Sequence, residues 1–355
     1  MSRNAPFPTA ILYCWLVTGW LLAVIQPSTA TAASTISPNL NLPRARVVVV
    51  DNPRATDAFR ARPDVVSAMV ARGMTNLTGK ADIRAAWLSL VSTQDVVGIK
   101  VYSAPGPNSG TRVCVVAAVV EELMAAGLPP KNIIVWDRMS VDLRLAGFFD
   151  LADRYGIRVA GSVQAGFDPA TFYESELLGN LVWGDLEFGA LGSGLGRKSF
   201  VSKLISQQMT KIINVTPLLN HNLAGVSGNL YSLAMGSVDN LIRFEASPER
   251  LARAVPEIYA LEALSDHVVL SIMDALICQY EGGEQALLHY STPLNQLWFS
   301  KDAVALDRLG LRELERQRQA ANAPSVNQNM DLYDAAALLQ LGVDDLKRIQ
   351  VDKLN

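Results

Sequence analysis

A strand, a helix and a second strand follow one another in the first half of the chain. "DVVGIKVY" (Asp95–Tyr102) and "NIIVWD" (Asn132–Asp137) are apolar, partly β-branched runs typical of buried strands. Between them, "TRVCVVAAVVEELMAAGL" (Thr111–Leu128) has the apolar spacing of a helix that ends near Gly127. Two strands joined by such a helix normally lie parallel in one sheet, so this unit predicts an α/β fold.

The rest of the chain continues this alternation. Short apolar runs at Arg46–Asp51 and Thr210–Val215 predict buried strands, and Ser247–Leu264 has the start signals of a helix. From Val159 to Lys203 the pattern is mixed and glycine-rich, which predicts short strands and a hairpin. We therefore expect a single α/β domain over residues 45–355, with a mostly parallel sheet, helices on both faces and a β-rich insertion.

The N-terminus has the features of a secretory signal peptide. Arg3 precedes the mostly apolar stretch Ala10–Ile25, and Ala30–Ala32 fits an A-x-A cleavage pattern. We assign residues 1–33 to this signal and residues 34–44 to a linker. The mature protein is then expected to be extracytoplasmic, either periplasmic or secreted. The alternative is an uncleaved segment, which would be the protein's only contact with the membrane.

Composition excludes several classes of function. The net charge of −3 and the pI of about 5.7 give no basis for nucleic-acid binding. Cys14 lies in the predicted signal, and Cys114 and Cys278 are too few to hold an iron–sulfur cluster, so none is expected. Both lie in apolar runs, which favours buried free thiols over a disulfide. The sequence leaves the cofactor and the oligomeric state unknown.

Polar residues recur where the predicted strands end. In open α/β sheets, ligands bind at the carboxyl ends of the strands, where the strand order reverses. We therefore predict a site there for a small anionic ligand. Its predicted ligand-binding residues are Lys100, Thr111, Arg112, Arg138, Lys211, Asn214, Asn222 and Asp302, and its predicted catalytic residues are His221, Asp137 and Asp274.

Within this set the predicted roles differ. Lys100 and Arg138 would bind the anionic group, and His221 would transfer a proton while Asp137 or Asp274 orients it. Lys211 begins its strand, so it could instead lie at the opposite edge of the sheet.

The segment "INVTPLLNHNLAGVSGNL" (Ile213–Leu230) would form one wall of this site. Pro217 is expected to end the strand, and Gly225 and Gly228 would let the backbone approach a ligand closely. His221 could be a general base, a metal ligand or a structural loop residue. The other two histidines have no partner at metal-ligand spacing, so we predict no multi-histidine metal site, and a mixed His-Asp-Asn site is the less favoured alternative.

Two glycine-rich segments could bind an anion. The loop before Thr111 leads to a helix N-terminus, whose free N–H groups suit an anion, and Arg112 adds positive charge. The segment "GALGSGLGRKS" resembles a phosphate loop only loosely, because Arg197 separates Gly196 from Lys198. We interpret this second segment as a hairpin tip.

Several segments together resemble the family named domain of unknown function 362 (DUF362). They are "VGIKVY", "IIVWDR", "KIINVTPLLNHNLAGVSGNL", "DNLIRF", "SIMDAL" and "SKDAVALDRLG", and the resemblance spans roughly residues 45–351. It implies an α/β fold and the position of a site, but no defined reaction. Many members carry a ferredoxin-like module with iron–sulfur clusters, and this chain lacks the cysteines for one.

The resemblance also implies two departures at the site. Members commonly carry a lysine where this chain has Asn220 or a residue beside it, and a Lys-Asn pair where this chain has Tyr231 and Ser232. A charged contact of the family is therefore expected to be missing here.

Two functions remain open. The first is an extracytoplasmic enzyme that acts on a small anionic metabolite at the carboxyl edge of the sheet. The second is a ligand-binding or accessory protein without catalysis, which the missing lysines favour.

The signal peptide gives a direct prediction. N-terminal sequencing of the mature protein should start at or near Ala33, because cleavage is expected after Ala30–Ala32. Soluble extracytoplasmic protein that begins at Met1 would contradict it.

Overall fold

The computed structural model describes residues 44–326 and 328–355. The predicted signal peptide, its cleavage site and the linker up to residue 43 lie outside the described residues. The strands are β1 (Ala45–Asp51), β2 (Thr56–Asp57), β3 (Arg60–Ala61), β4 (Val97–Val101), β5 (Ile133–Asp137), β6 (Arg158–Gly161), β7 (Phe167–Glu174), β8 (Lys198–Ser202), β9 (Lys211–His221), β10 (Gly225–Val226), β11 (Val268–Gln279), β12 (Ser291–Ser300) and β13 (Ile349–Leu354).

The helices connect these strands, together with three short 3₁₀ turns at Pro130–Asn132, Leu288–Tyr290 and Leu346–Arg348. They are α1 (Pro63–Thr78), α2 (Ile83–Leu88), α3 (Gly106–Ser109), α4 (Val113–Ala126), α5 (Ser140–Leu145), α6 (Phe149–Tyr155), α7 (Ser162–Ala165), α8 (Lys203–Gln207), α9 (Asn229–Ser237), α10 (Pro248–Tyr259), α11 (Glu262–Ser265), α12 (Ala303–Ala320) and α13 (Met330–Leu338). None of the described helices is long and apolar enough to cross a membrane.

One large sheet organises the fold. Its strands lie in the order β13-β1-β12-β11-β9-β4-β5-β6, and β10 pairs with the end of β9. β12 is antiparallel to both of its neighbours, whereas the other pairs along this path are parallel. The predicted α/β class with a mostly parallel sheet is confirmed. So is the predicted parallel pairing of β4 with β5 across the α4 helix.

Both faces of the sheet are buried. Val47 and Val49 of β1 belong to the core that includes α9, α10, α12 and α13, while Val48 and Val50 belong to the core that includes α1, α2 and α4. Successive side chains of a strand point to opposite faces, so a strand covered on both faces becomes a continuous apolar run. This explains why "RVVVVD" shows no alternation of polar and apolar residues.

The predicted β-rich insertion is also present. β7 and β8 form a separate antiparallel pair, in which Phe172 lies opposite Phe200. Most of the glycine run "GALGSGLGRKS" lies in the connection between these two strands, where a hairpin tip was predicted. The buried guanidinium of Arg243 binds this connection, because it donates to the carbonyl groups of Leu177 and Arg197, each at 2.6 Å.

One prediction about the central strand is wrong. β9 does not end at Pro217 but continues to His221. Its pairing with β4 ends at Val215, and its register with β11 shifts directly after Pro217. A residue without an N–H group is tolerated where the hydrogen-bond ladder is interrupted. The strand therefore carries His221 beyond the end of its neighbour β4.

The order of the strands reverses between β4 and β9. From β4 the chain adds β5 and β6 on one side, and from β9 it adds β11 and β12 on the other. In open α/β sheets, a crevice forms at such a reversal, outside the carboxyl ends of the two strands. Lys100 and Asn214 are register partners across this point.

Candidate functional site

A buried ion pair lies at the reversal between β4 and β9, and we call it the floor pair. Lys100 is fully buried, and its Nζ lies 2.8 Å from Asp137 Oδ1. The same ammonium group donates to the carbonyl of Val101 at 2.6 Å and to Ser232 Oγ at 2.9 Å. Burial lowers the pKa of Lys100, and the charge of Asp137 opposes this shift. The three protons of the ammonium group thus have three partners.

Asp137 is also held from several sides. Its Oδ2 accepts hydrogen bonds from the N–H and the hydroxyl of Ser103, both at 2.7 Å, and its Oδ1 accepts from the N–H of Arg138 at 2.8 Å. Helix α9 covers the pair, since a methyl group added at Gly236 would lie 2.3 Å from Lys100 Cε. Lys100 therefore lies beneath the crevice, and this burial disfavours its predicted contact with an anion.

The side chains of two tyrosines and a histidine pack together near the floor pair. The ring of Tyr231 lies 6.5 Å from that of Tyr102 and 4.1 Å from that of His221, between centroids. The hydroxyl of Tyr231 donates to Glu245 at 2.9 Å, and that of Tyr102 donates to Glu284. Burial, together with nearby negative charge, raises the pKa of both phenols, so both remain protonated at neutral pH.

Arg138 and several carboxylates surround these rings. Burial is the main cause of a raised pKa in Asp142 and in Glu245, and the charge of Glu284 adds to both shifts. The guanidinium of Arg138 donates to the carbonyl of Val238 at 2.9 Å. Burial lowers the pKa of Arg138, and the carboxylates around it oppose this. We call the group near the floor pair the edge site: Tyr102, Arg138, His221, Tyr231, Glu245 and Glu284.

His221 is oriented by its own turn. Its Nδ1 accepts hydrogen bonds from the N–H groups of Leu223 at 3.3 Å and Ala224 at 3.0 Å. A ring nitrogen that accepts carries no proton, so the neutral ring has its hydrogen on Nε2. Burial lowers the pKa of His221 to about 4. At neutral pH this residue is therefore suited to donate a hydrogen bond rather than to act as a general base.

A second buried ion pair lies near the start of α4. Arg112 NH1 is 3.0 Å from Asp274 Oδ2, and the same oxygen accepts the backbone N–H of Arg112 at 3.0 Å. Thr111 Oγ1 donates to the backbone of β9 at 2.7 Å. The carboxylates of Asp274 and Asp137 thus bind basic side chains and backbone N–H groups. The prediction that one of them orients His221 is wrong.

The asparagines of the central segment hold the backbone around the site. Asn220 Oδ1 accepts the N–H of Gly283 at 3.0 Å, and its Nδ2 donates to Asn222 Oδ1 at 3.3 Å. These contacts fix the turn that carries Glu284 against the end of β9. Asn214 is buried, and its Nδ2 donates to the carbonyl of the first residue of α9 at 2.8 Å.

Two predicted site residues lie at the opposite edge of the sheet. Lys211 begins β9, and Asp302 follows β12, which runs antiparallel to its neighbours. Asp302 caps α12 by accepting the N–H of Ala305 at 2.8 Å, and it also accepts the N–H of Val343 at 2.9 Å. The prediction that Lys211 and Asp302 belong to the site is wrong. Asp302 lies at the opposite edge because β12 is antiparallel to its neighbours, so its carboxyl end is at that edge.

The two glycines of the central segment are approached by protein atoms. A methyl group at Gly228 would lie 2.4 Å from Asp307 Oδ1, and one at Gly225 would lie 2.6 Å from the carbonyl of Gln328. Asp307 reaches past Gly228 to accept the N–H groups of Asn229 at 2.7 Å and Leu230 at 2.9 Å. Gly228 therefore serves the packing of α12 against the start of α9, and Gly225 lets the segment between α12 and α13 approach β10 closely.

The family model named "Domain of unknown function (DUF362)" matches residues 96–312, a range that holds the floor pair and every residue of the edge site. This chain belongs to the DUF362 family. No curated protein matches it. Among solved structures, it is similar to a crystal structure of a protein from Thermotoga maritima, with a TM-score of 0.41 and 11% identity. That similarity covers 75% of this chain, and the chain spans only 60% of the length of the Thermotoga protein.

In this DUF362 chain, Tyr231 and Ser232 stand where the resemblance implied a lysine and an asparagine. Ser232 accepts a hydrogen bond from Lys100, and Tyr231 donates one to Glu245. A phenol thus lies beside the carboxylate of Glu245, at the position where the resemblance implied a lysine. In the described part of the chain, no group of three or more His, Cys, Asp or Glu side chains is placed to hold a metal ion.

Four residues of the edge site are not among the predicted site residues, namely the tyrosines Tyr102 and Tyr231 and the carboxylates Glu245 and Glu284. Glu284 follows β11, which runs past Asp274 to Gln279, so the true end of this strand would have pointed to it. Glu245 lies in the "NLIRFEAS" connection and had no local signal.

The floor pair gives a prediction about stability. Lys100→Met should destabilise the protein by about 3–5 kcal/mol in urea unfolding, because Asp137 would be left buried without its counter-charge. Lys100→Met combined with Asp137→Asn should recover part of this loss, and Lys131→Met at an exposed position should cost less than about 0.5 kcal/mol. A Lys100→Met variant of normal stability would contradict a structural role.

His221 gives a prediction about pH. Its pKa is about 4 in the folded protein, against 6.5 for an unperturbed histidine. Between these two pH values the unfolded state binds more protons at this residue than the folded state does. The contribution of His221 to the free energy of unfolding is therefore complete above pH 6.5 and is lost as the pH falls toward 4. His221→Gln should remove this loss, which amounts to at most about 3 kcal/mol.

The measurement is the free energy of unfolding across this pH range. Exposed His289→Gln is the control and should follow the native protein. Identical pH curves for the native protein and His221→Gln would contradict the lowered pKa.

Proposed function

We propose that this DUF362 protein binds a small polar ligand at the edge site, and that it does so outside the cytoplasm. The convergence of hydrogen-bonding groups at the reversal between β4 and β9 carries this proposal. The Nε2–H of His221 can donate, while Glu245 and Glu284 can accept, and so can the two phenol oxygens, whose protons are bound to these carboxylates. A few polar groups that converge beside buried aromatic rings are typical of a ligand site.

The charges favour a ligand that carries hydroxyl or ammonium groups. Two of the basic residues predicted to bind an anion, Lys100 and Arg112, are each paired with a buried carboxylate. Around the edge site, Glu245, Glu284 and Asp142 outnumber Arg138. An anion there would meet repulsion, whereas an amine or a polyol would meet acceptors. The anionic ligand predicted from the sequence is therefore the less favoured alternative.

Catalysis on such a ligand is a second candidate function. Burial raises the pKa of Glu245, and this carboxylate accepts a hydrogen bond from Tyr231 at 2.9 Å. A partly buried carboxyl group with a raised pKa is a candidate for general acid–base catalysis. Glu245 is thus the residue of the edge site that best fits proton transfer, and it replaces His221 in that role.

The ligand proposal predicts an order of binding for three matched sugars. Glucosamine should bind more tightly than glucose, and glucose more tightly than glucuronate, when each is titrated calorimetrically into the mature protein. Glu284→Gln should weaken glucosamine binding about tenfold, because a hydrogen bond to a charged group is lost. Glu262→Gln, at an exposed position on α11, is the control and should change nothing.

The same titrations can contradict the proposal. If glucuronate binds most tightly of the three and Glu284→Gln strengthens its binding, the edge site prefers an anionic ligand, as the sequence predicted. If none of the three sugars binds at millimolar concentration, the edge site does not recognise ligands of this class.

A further inference from the structure

A cavity lies on the α12 face of the sheet, and none of its lining residues belongs to the edge site. Its volume is about 870 Å³, which lies within the range of pockets that bind small molecules. Its walls are α12 on one side and strands β1, β12 and β13 on the other. We call this cavity the α12 cleft.

The cleft carries a net positive charge. Arg308, Arg312, Arg316 and Lys353 line it together with Glu313 and Glu315, which gives four cations and two carboxylates. Arg316 is already paired with Glu313, through hydrogen bonds of 2.6 and 2.8 Å. The remaining charges are three cations against Glu315, whose Oε1 accepts from Gln319 at 3.1 Å and from Ser325 at 2.8 Å.

Two of these cations have no partner within residues 44–326 and 328–355. Neither Arg312 nor Lys353 makes a side-chain hydrogen bond or an ion pair there. They come from different elements, α12 and β13, so they approach the cleft from opposite walls. Unpaired cations on two walls of one cavity are suited to an anionic group between them.

Arg308 is the third cation, and it is held in place. Its Nε donates to the carbonyl of Asp344 at 2.8 Å, and its NH1 lies 2.7 Å from the sulfur of Met330. The guanidinium also lies 5.9 Å from the centre of the Tyr333 ring. A fixed cation loses little conformational entropy when an anion binds.

Part of the strand side of the cleft is apolar. Val49, Trp298 and Val351 line it from three neighbouring strands, and Leu309 and Leu346 line it from the helical side. The indole N–H of Trp298 donates to Gln296 Oε1 at 2.9 Å, so the polar atom of this ring is already satisfied. An apolar or aromatic body can therefore pack here without leaving a polar group unpaired.

We propose that the α12 cleft binds an organic anion, with an apolar or aromatic body against Trp298 and a carboxylate or phosphate group between Arg312 and Lys353. This site does not depend on the function proposed for the edge site. Its ligand class is the opposite one, because its unpaired groups are cations rather than carboxylates.

The test compares small molecules that carry an aromatic ring, an anionic group, or both. Phenyl phosphate and phenylacetate carry both features, benzyl alcohol carries only the ring, and inorganic phosphate carries only the charge. Each is titrated into the mature full chain, and binding is measured by calorimetry. Phenyl phosphate or phenylacetate should bind at least tenfold more tightly than benzyl alcohol and inorganic phosphate.

Surface variants then locate the binding. Arg312→Gln and Lys353→Gln should each weaken the aromatic anion about tenfold, because each removes a charged hydrogen bond. Lys347→Gln, exposed but not lining the cleft, is the matched control and should have no effect. Glu284→Gln should also have no effect, which keeps this result separate from that at the edge site.

Three outcomes would overturn the proposal. The first is no binding of either aromatic anion at 10 mM, a concentration about ten thousandfold above the Kd of a micromolar site. The second is an equal loss in Lys347→Gln and Arg312→Gln, which would mean general surface charge. The third is a loss in Glu284→Gln alone, which would place the aromatic anion at the edge site.

Discussion

The ion pair between Lys100 and Asp137 can form only if β4 and β5 are parallel neighbours and α9 lies across their carboxyl ends. Two charges taken out of water are costly unless every remaining hydrogen-bonding atom is satisfied. Here the ammonium group has three partners, and the carboxylate accepts from Ser103 and Arg138. These partners come from β4, from the residues after β4 and β5, and from α9. The pair thus fixes the register of the elements that carry the edge site.

The sequence predicted the elements better than it predicted their directions. Continuous apolar runs identified β1, β4, β5 and β9, because strands buried on both faces leave no other pattern. An apolar run predicts a buried strand but not the direction in which that strand runs, so the sequence could not show that β12 is antiparallel to its neighbours. Asp302 was therefore placed at the wrong edge. Pro217 predicts a strand end, and the sequence around it cannot show otherwise, because the gap in the hydrogen-bond ladder that tolerates this proline depends on β4 and β11.

The location of the site was predictable, but the partners of its side chains were not. Strand ends converge at the reversal of a parallel sheet, so Lys100, Asp137, Arg138 and His221 were expected near one another. Whether a lysine there is free or paired depends on burial by α9, which is far away in the sequence. In the same way, the tautomer of His221 depends on two backbone N–H groups of its own turn. Neither the pairing of Lys100 nor the tautomer of His221 can be deduced from composition and residue spacing.

Helix α12 supports both the edge site and the α12 cleft through adjacent residues. Asp307 accepts the N–H groups of Asn229 and Leu230 and so holds the start of α9, the helix that carries Tyr231. Arg308, the next residue, lines the cleft. Consecutive residues of a helix point about 100° apart, so one helix can present its successive side chains to two different neighbours. A shift of α12 in the cleft would strain the buried bonds of Asp307, because that carboxylate is fully buried and accepts from three donors. The geometry of Tyr231 above the floor pair therefore rests on the position of α12.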